Sequence, residues 1–370
     1  MSLSLLPMVT WVKPAIPCFL LAAPSVPFYA VAVAWGLIGS LLPEVWFRRV
    51  DDALYSLYQR LVLFYFESVS GVRLIFYGDV ERLFQKKENV LYISNHQSSV
   101  DWVVADMLAV RQGSLGHLRY MLKDSLQYLP LYGWYFYQHG SVYVRRGGNF
   151  QSEITLRGLR YLRNLPYPGW MIIFPEGTRF SLNKPKIHSK TAEYCAAKNR
   201  PAFEHVFAPR SKGFLMALHT LRPRLDAVYD VAIAYADSST RRRRQRTEDA
   251  PDMFRFICCA PNSELHVHVS RIPIENVPMT NEDVETWLDD RFEEKNGLLK
   301  RFFGEGEASF PDPVEVNATL GWRHTVPAFL FWTSLLGLGL SSPMGRRIYF
   351  GTWLTGTLAS ILYMRLKKAA

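Results

Sequence analysis

The run Val90-Leu-Tyr-Ile-Ser-Asn-His-Gln-Ser-Ser-Val-Asp-Trp102 decides the fold. Its first part, Val90–Ser94, is a short apolar block carrying β-branched and aromatic side chains, the pattern of a buried strand. A brief polar stretch follows, and Ser99–Val110 then reads as a helix. A strand passing through a short loop into a helix is the unit of an α/β layered domain. The loop at the strand's C-terminal end is where such domains present reactive side chains.

The same alternation continues outward. Further strands are expected at Ser141–Val144, Trp170–Phe174, Ala227–Tyr235 and Glu264–Val269. Helices are expected at Phe150–Asn164, Ser189–Asn199 and Gly213–Leu221, with a long amphipathic one at Asn281–Phe303. Residues 78–303 therefore read as one globular α/β domain.

The flanks are different in kind. Ala15–Pro43 contains no charged residue. Pro17, Pro24 and Pro27 break its start, which places a membrane helix at about Val26–Leu42. Ala32-Val-Ala34 imitates a signal-peptide cleavage site, but the apolar run continues past it, as in an uncleaved anchor. Leu54–Tyr77 reads as an interfacial or re-entrant helix, or as a buried helix packed on the first. At the other end, Val326–Leu340 and Ile348–Leu366 flank Gly345-Arg346-Arg347, a membrane hairpin with basic edges that spans or embeds in the surface. The division expected is an N-terminal anchor over 1–77, a catalytic domain over 78–303, a linker over 304–325 and the hairpin over 326–370.

Bulk composition agrees with that division. Hydrophobic residues make up 49% and aromatics 14% of the 370 residues, an excess that a few apolar segments can hold. Five arginines between Arg241 and Arg246 supply half of the net charge of +10. The remainder is too mildly basic for a distributed nucleic-acid surface, and the Arg run has no interleaved aromatics. It reads as a solvated loop rather than a nuclear-localisation signal. Cys18, Cys195, Cys258 and Cys259 form no CxxC and no metal-ligand spacing, which favours a reduced compartment and predicts no metal site.

The chemistry centres on His96 and Asp101. A neutral imidazole can take the proton of an attacking hydroxyl, and a carboxylate on its other nitrogen fixes the tautomer and stabilises the imidazolium. If the substrate brings the hydroxyl, no enzyme serine is needed. A plainer account is also open: Ser98-Ser-Val-Asp101 fits a helix capping box. Two more stretches stand out. In Phe174-Pro-Glu-Gly-Thr-Arg-Phe180, Gly177 allows close backbone approach, Thr178 offers a hydroxyl and Arg179 a two-pronged donor for phosphate, although Glu176 and Arg179 could equally form a turn with an internal ion pair. In Lys123–Trp134 and Gly140–Arg146, the cations Lys123, Arg145 and Arg146 could form a phosphate-binding face.

Taken together and in this order, the three stretches resemble the glycerolipid acyltransferase family, typified by the 1-acyl-glycerol-3-phosphate acyltransferases. The matching patterns are Asn-His-x4-Asp, then Lys-x2-Leu-x3-Pro-x2-Gly-Trp with Gly-x2-aromatic-aliphatic-x-Arg, then Phe-Pro-Glu-Gly-Thr-Arg, over about residues 50–300. Pro209-Arg-Ser-Lys-Gly-Phe214 and Val228–Tyr235 look like the eukaryotic branch with the gamma, delta and epsilon lysophosphatidic acid acyltransferases and the lysocardiolipin acyltransferases, the epsilon type being the nearest likeness. The resemblance implies a mixed sheet flanked by helices, His96 as base and Asp101 as its orienter. It places Lys123, Gly140, Arg146, Glu176, Gly177, Thr178 and Arg179 near the acceptor's glycerol phosphate. The implied substrates are acyl-CoA and lysophosphatidic acid or another lysophospholipid, with no cofactor, no covalent acyl-enzyme and no nucleic acid. The implied location is the endoplasmic reticulum membrane, or a mitochondrial or nuclear-envelope membrane, with the site facing the cytosol. One departure stands: many members carry Val-Pro in a fourth block, where this chain has Tyr229-Asp230-Val231.

Two rivals follow from the same residues. One is a remodelling lysophospholipid or lysocardiolipin acyltransferase. The other is a membrane-anchored lipid-binding protein without activity, which the intact His96/Asp101 pair argues against. The sequon Asn317-Ala-Thr319 is expected to be unused if the catalytic side is cytosolic.

Overall fold

A computed structural model describes residue 19 and residues 21–145, 152–237, 249–258, 263–304, 309–314 and 319–369. Arg146, the Arg241–Arg246 run, Cys18, Cys259 and Asn317 lie outside the described residues. The strands in chain order are β1 (Arg73–Gly78), β2 (Val90–Ser94), β3 (Leu118–Lys123), β4 (Val142–Val144), β5 (Trp170–Ile173), β6 (Ala227–Asp237) and β7 (Ser263–Pro273).

The chain forms two compact units. One is made of residues 71–114 and 167–319, the other of residues 1–70, 115–166 and 320–370. This grouping does not follow the linear division at residues 77 and 303, because 115–166 groups with the two terminal segments.

In the unit of 71–114 and 167–319, five strands lie in the order β1-β7-β6-β2-β5. β1 runs parallel to β7, β6 parallel to β2 and β2 parallel to β5, while β6 and β7 are antiparallel. The sheet is therefore mixed, as the family likeness implies. Every residue of β2 and of β5 is buried. That explains their unbroken apolar runs, since a central strand covered on both faces has no solvent side to alternate with. The helix Asn281–Phe303 has the expected bounds. Thr280 caps it, its hydroxyl accepting from Asp283 N at 3.2 Å.

In the other unit, β3 and β4 pair in parallel beside apolar helices. The membrane helix expected at Val26–Leu42 is observed as Ser25–Gly39, only 15 residues long. No single described helix is long and apolar enough to cross a membrane. Val326–Leu340 and Pro343–Leu366 meet the requirement only as a pair, bent by 112°. The break lies at Ser341-Ser342-Pro343 and not at Gly345-Arg346-Arg347. Pro343 is suited to the first position of a helix, and the Ser342 hydroxyl accepts from Gly345 N at 2.9 Å. Leu338, Leu354, Leu358 and Leu362 are exposed on this pair.

The segment Leu54–Tyr77 is not one helix. The helix Glu44–Leu63 widens into a π-helical turn over Phe64–Val69, and Gly71 at φ +77° turns the chain into β1. Apolar content alone did not separate the two elements, because both the helix end and β1 carry buried apolar side chains.

Candidate active site

The site is built at the C-terminal end of β2. Asn95 extends that strand by one artificial rung: its side-chain amide donates to Ile233 O at 2.9 Å and accepts from Ile233 N at 2.8 Å. The next residue, His96, is thereby aimed out of the sheet. Its ring lies against Phe174, with centroids 4.6 Å apart.

His96 Nδ1 donates to Asp101 Oδ2 at 2.8 Å. The same oxygen accepts from Gln97 N at 2.6 Å and from Ser98 N at 2.9 Å. The capping box forms only in half: Asp101 accepts from the Ser98 amide and holds the imidazole, but it is the first residue of the helix Asp101–Gln112, and the Ser98 hydroxyl accepts from Val100 N at 3.1 Å instead of from Asp101 N. The two sides of the dyad differ in access. Asp101 is fully buried, while the His96 side chain is 23% exposed, and no described residue bonds its Nε2. An imidazole held through Nδ1–H by a buried carboxylate presents Nε2 as an acceptor toward whatever enters the site.

Tyr235, at the end of β6, completes the carboxylate by donating to Asp101 Oδ1 at 2.7 Å. Burial first, then the Asp101 charge, pushes this phenol well above its usual range, so it stays a donor. Sequence reasoning assigned Tyr235 no role. Nothing in a strand's residue pattern says which position ends beside the next strand's loop.

The Phe174–Phe180 turn is tied to the same loop. Phe180 N donates to His96 O at 2.6 Å. Glu176 is 2% exposed, and its Oε1 accepts from His96 N at 2.7 Å while Oε2 accepts from Phe207 N at 2.8 Å. Expected among the acceptor-binding residues, Glu176 instead has both oxygens on backbone amides and joins two loops. Gly177 sits at φ +66°, and a Cβ there would lie 3.2 Å from the Arg210 side chain. Thr178 is half-buried and Arg179 exposed. Lys184 Nζ donates to Thr178 Oγ1 at 3.2 Å and to Arg179 O at 2.5 Å. Burial first, and the Arg179 charge next, pull the Lys184 ammonium below its usual range.

His96, Asp101, Glu176, Gly177, Thr178 and Arg179 are therefore together in one unit. Lys123 and Gly140 belong to the other. Lys123 is exposed at the end of β3. Gly140, at φ +92°, packs by the buried Arg119, 3.3 Å from where its Cβ would be to Arg119 Nε. That unit holds a second histidine–aspartate pair, His139 Nδ1 to Asp51 Oδ2 at 2.7 Å, with Arg119 bonded to His139 Nε2 at 2.7 Å and to Asp52 Oδ1 at 2.6 Å. Asp51, Asp52 and His139 are close enough to hold a metal ion, but the Arg119 guanidinium already supplies the cation there.

Comparison with known proteins identifies the family. Residues 78–236 match the Acyltransferase family model and residues 255–332 the Acyltransferase C-terminus model. The chain is 40% identical over 348 residues to 1-acyl-sn-glycerol-3-phosphate acyltransferase epsilon of Mus musculus, covering 93% of each chain. It is 29% identical over 293 residues to the delta enzyme of Bos taurus, covering 78% of this chain and 72% of that one. The crystal structure of the 1-acyl-sn-glycerophosphate acyltransferase from Thermotoga maritima superposes with a TM-score of 0.46 at 15% identity, covering 80% and 97% of the two chains.

Proposed function

Because this chain belongs to the 1-acyl-sn-glycerol-3-phosphate acyltransferase family, we propose that it transfers a fatty acyl group from acyl-CoA to the sn-2 hydroxyl of lysophosphatidic acid, making phosphatidic acid. One observation carries the mechanism: His96 is held through Nδ1 by a buried carboxylate, while its side chain is partly exposed and no described residue bonds Nε2.

The acceptor hydroxyl gives its proton to His96 Nε2 as its oxygen attacks the thioester carbonyl carbon. The imidazolium that forms is stabilised by Asp101 Oδ2 and needs no rearrangement of the ring. Collapse of the tetrahedral intermediate breaks the carbon–sulfur bond. His96 returns its proton to the departing thiolate, giving coenzyme A and the free base. No enzyme nucleophile enters, and this chemistry calls for no cofactor or metal.

Arg179 and Thr178 are the acceptor-phosphate ligands in this reading, since the 180–96 backbone bond sets their turn beside His96. Arg179 supplies the charge and the paired donors that a phosphate monoester takes best. Both substrates carry long acyl chains, so the enzyme works at a membrane surface. The exposed leucines of the Val326–Leu340 and Pro343–Ala369 helices support embedding there. We place it in the endoplasmic reticulum or a mitochondrial membrane with the site on the cytosolic side.

The test is release of coenzyme A from acyl-CoA with lysophosphatidic acid as acceptor, by wild type and His96→Ala. Transfer by wild type and its loss, by about 10^3-fold or more, in the variant is expected. Equal rates would sink the base assignment. Transfer only to larger lysolipids would reassign the acceptor.

A further inference from the structure

The stretch Pro209-Arg-Ser-Lys-Gly-Phe214 lies in the unit that holds His96. It and the residues just before it are fastened to the Phe174–Phe180 turn. Phe207 N donates to Glu176 Oε2 at 2.8 Å, and Arg210 N donates to Pro175 O at 2.9 Å. The Arg210 side chain then lies along Gly177. A Cβ on that glycine would be 3.2 Å from Arg210 Cδ and Nε and 3.4 Å from Cζ. Glycine leaves the room for this contact, and its φ of +66° suits it as well.

An exposed arginine is ordinarily a solvated charge on a free stem. Arg210 is exposed, but its stem and guanidinium are laid on backbone, so it has less side-chain freedom to lose on binding a ligand. Among the described residues, no carboxylate pairs with the guanidinium of Arg210 or of Arg179. Lys184 adds a third cation, its Nζ on Thr178 Oγ1 and on Arg179 O. With Oγ1 accepting from Lys184, the Thr178 hydroxyl keeps its own hydrogen to donate. Phe180 N ties this same turn to His96 O at 2.6 Å.

Cations gathered on one turn repel one another, and a bound anion relieves the repulsion. A phosphate monoester suits the place, since it carries about two negative charges near neutral pH and enough free oxygens for two guanidinium forks. A phosphodiester has given up one of those charges and one of those oxygens to its second ester bond.

We propose that Arg210 is a further ligand of the acceptor's phosphate, and the residue that makes the site prefer a phosphate monoester to the phosphodiester headgroups of larger lysolipids. The assignment rests on the acyl-transfer reading of the site and narrows its acceptor. Arg179 comes from the turn itself, and Arg210 from the segment packed on it. Acyl-CoA also carries a phosphate monoester, on its ribose, so donor and acceptor must be separated by experiment.

The test uses the full-length chain in detergent micelles, as wild type, Arg210→Gln and Arg210→Lys. Matched lipids are titrated: lysophosphatidic acid, its methyl phosphodiester and phosphate-free 1-acylglycerol. Equilibrium binding and coenzyme A release are read in parallel. Arg210→Gln weakens binding of lysophosphatidic acid, and raises its KM, by about tenfold. Binding of the methyl diester and of 1-acylglycerol, and KM for acyl-CoA, stay within about twofold. Wild type prefers lysophosphatidic acid to its diester, Arg210→Gln loses most of that preference, and Arg210→Lys keeps part of it. A turn merely loosened by the substitution would weaken all the lipids alike, and that outcome overturns the proposal. An unchanged preference overturns it too, as does a loss confined to acyl-CoA, which would assign Arg210 to the donor's phosphate. Binding reads the headgroup whether or not the chain transfers acyl groups. Failure of the functional reading therefore shows separately, as a wild type that binds lysophosphatidic acid selectively and releases no coenzyme A.

Discussion

Tyr235 donates to Asp101 Oδ1 at 2.7 Å, on the oxygen opposite the one that holds His96 Nδ1. The buried carboxylate therefore takes four donors: a phenol, two backbone amides and the imidazole. Oδ2 faces the helix start and the His96 ring, and Oδ1 faces β6. The tyrosine's hydrogen bond ties the second oxygen of this carboxylate to β6.

Removing the phenol should therefore act on rate more than on binding. Tyr235→Phe keeps the ring and loses one hydrogen bond to a charged group, a loss of about 1.5–3 kcal/mol at most. We expect kcat to fall about tenfold with little change in KM, against a loss of about 10^4 for Asp101→Asn, which upsets the tautomer. Steady-state acyl-CoA release checks both, and a fully active Tyr235→Phe would remove this residue from the site.

Arg179 should govern the acceptor and not the donor. Arg179→Ala is expected to raise KM for lysophosphatidic acid by about ten- to a hundredfold, leaving KM for acyl-CoA within about twofold. Arg179→Lys should recover only part of the loss, because a point charge does not reproduce the paired donors. An unchanged acceptor KM in the alanine variant would show that the phosphate sits elsewhere.

Gly177 tests the turn itself. At φ +66° an alanine carries a backbone penalty of about 1–2 kcal/mol, and its Cβ also presses on Arg210 from 3.2 Å. Gly177→Ala should lower kcat about tenfold while the unfolding midpoint drops by only a few degrees. Wild-type turnover in this variant would mean that the turn can relax without moving Arg179.

The second histidine–aspartate pair makes stability depend on pH. Burial first, then the Arg119 charge, pulls the His139 imidazole from its usual 6.5 down to about 4. The folded chain keeps His139 neutral where the unfolded chain takes up a proton, so its contribution is complete above about pH 6.5 and is lost as pH falls toward 4. The loss should approach roughly 3 kcal/mol. Asp51, held low against its burial first of all by the His139 charge, adds a loss of the same sign at still lower pH. Thermal unfolding at pH 7.5, 5.5 and 4.5 should show the drop. His139→Gln, less stable throughout, should show a flatter profile, and equal slopes would assign the effect elsewhere.

Much of the layout was legible from residue pattern. β2, β5 and β6 begin where the apolar runs begin, and the helix Asn281–Phe303 has the bounds that its Thr280 cap and amphipathic period indicate. β1 and β3 were not legible. β1 follows the helix end after only a short turn at Ser70-Gly71, and in β3 the buried Arg119 interrupts the apolar run. The 15-residue Ser25–Gly39 helix shows the opposite limit, because an uncharged run is not the same length as the helix it forms.

Sequence by itself carried the pattern: histidine and aspartate five apart at a strand-to-helix junction, followed by Glu-Gly-Thr-Arg, side chains of the kinds that acid–base and phosphate chemistry use. Tertiary structure alone decided who supports them. Tyr235 reaches Asp101 across 134 positions, and Phe207 reaches Glu176 across 31. The physical reason is that hydrogen bonds and ion pairs depend on distance in space, and strand order, not chain order, sets that distance here: β6 lies beside β2 although β5 comes between them in sequence.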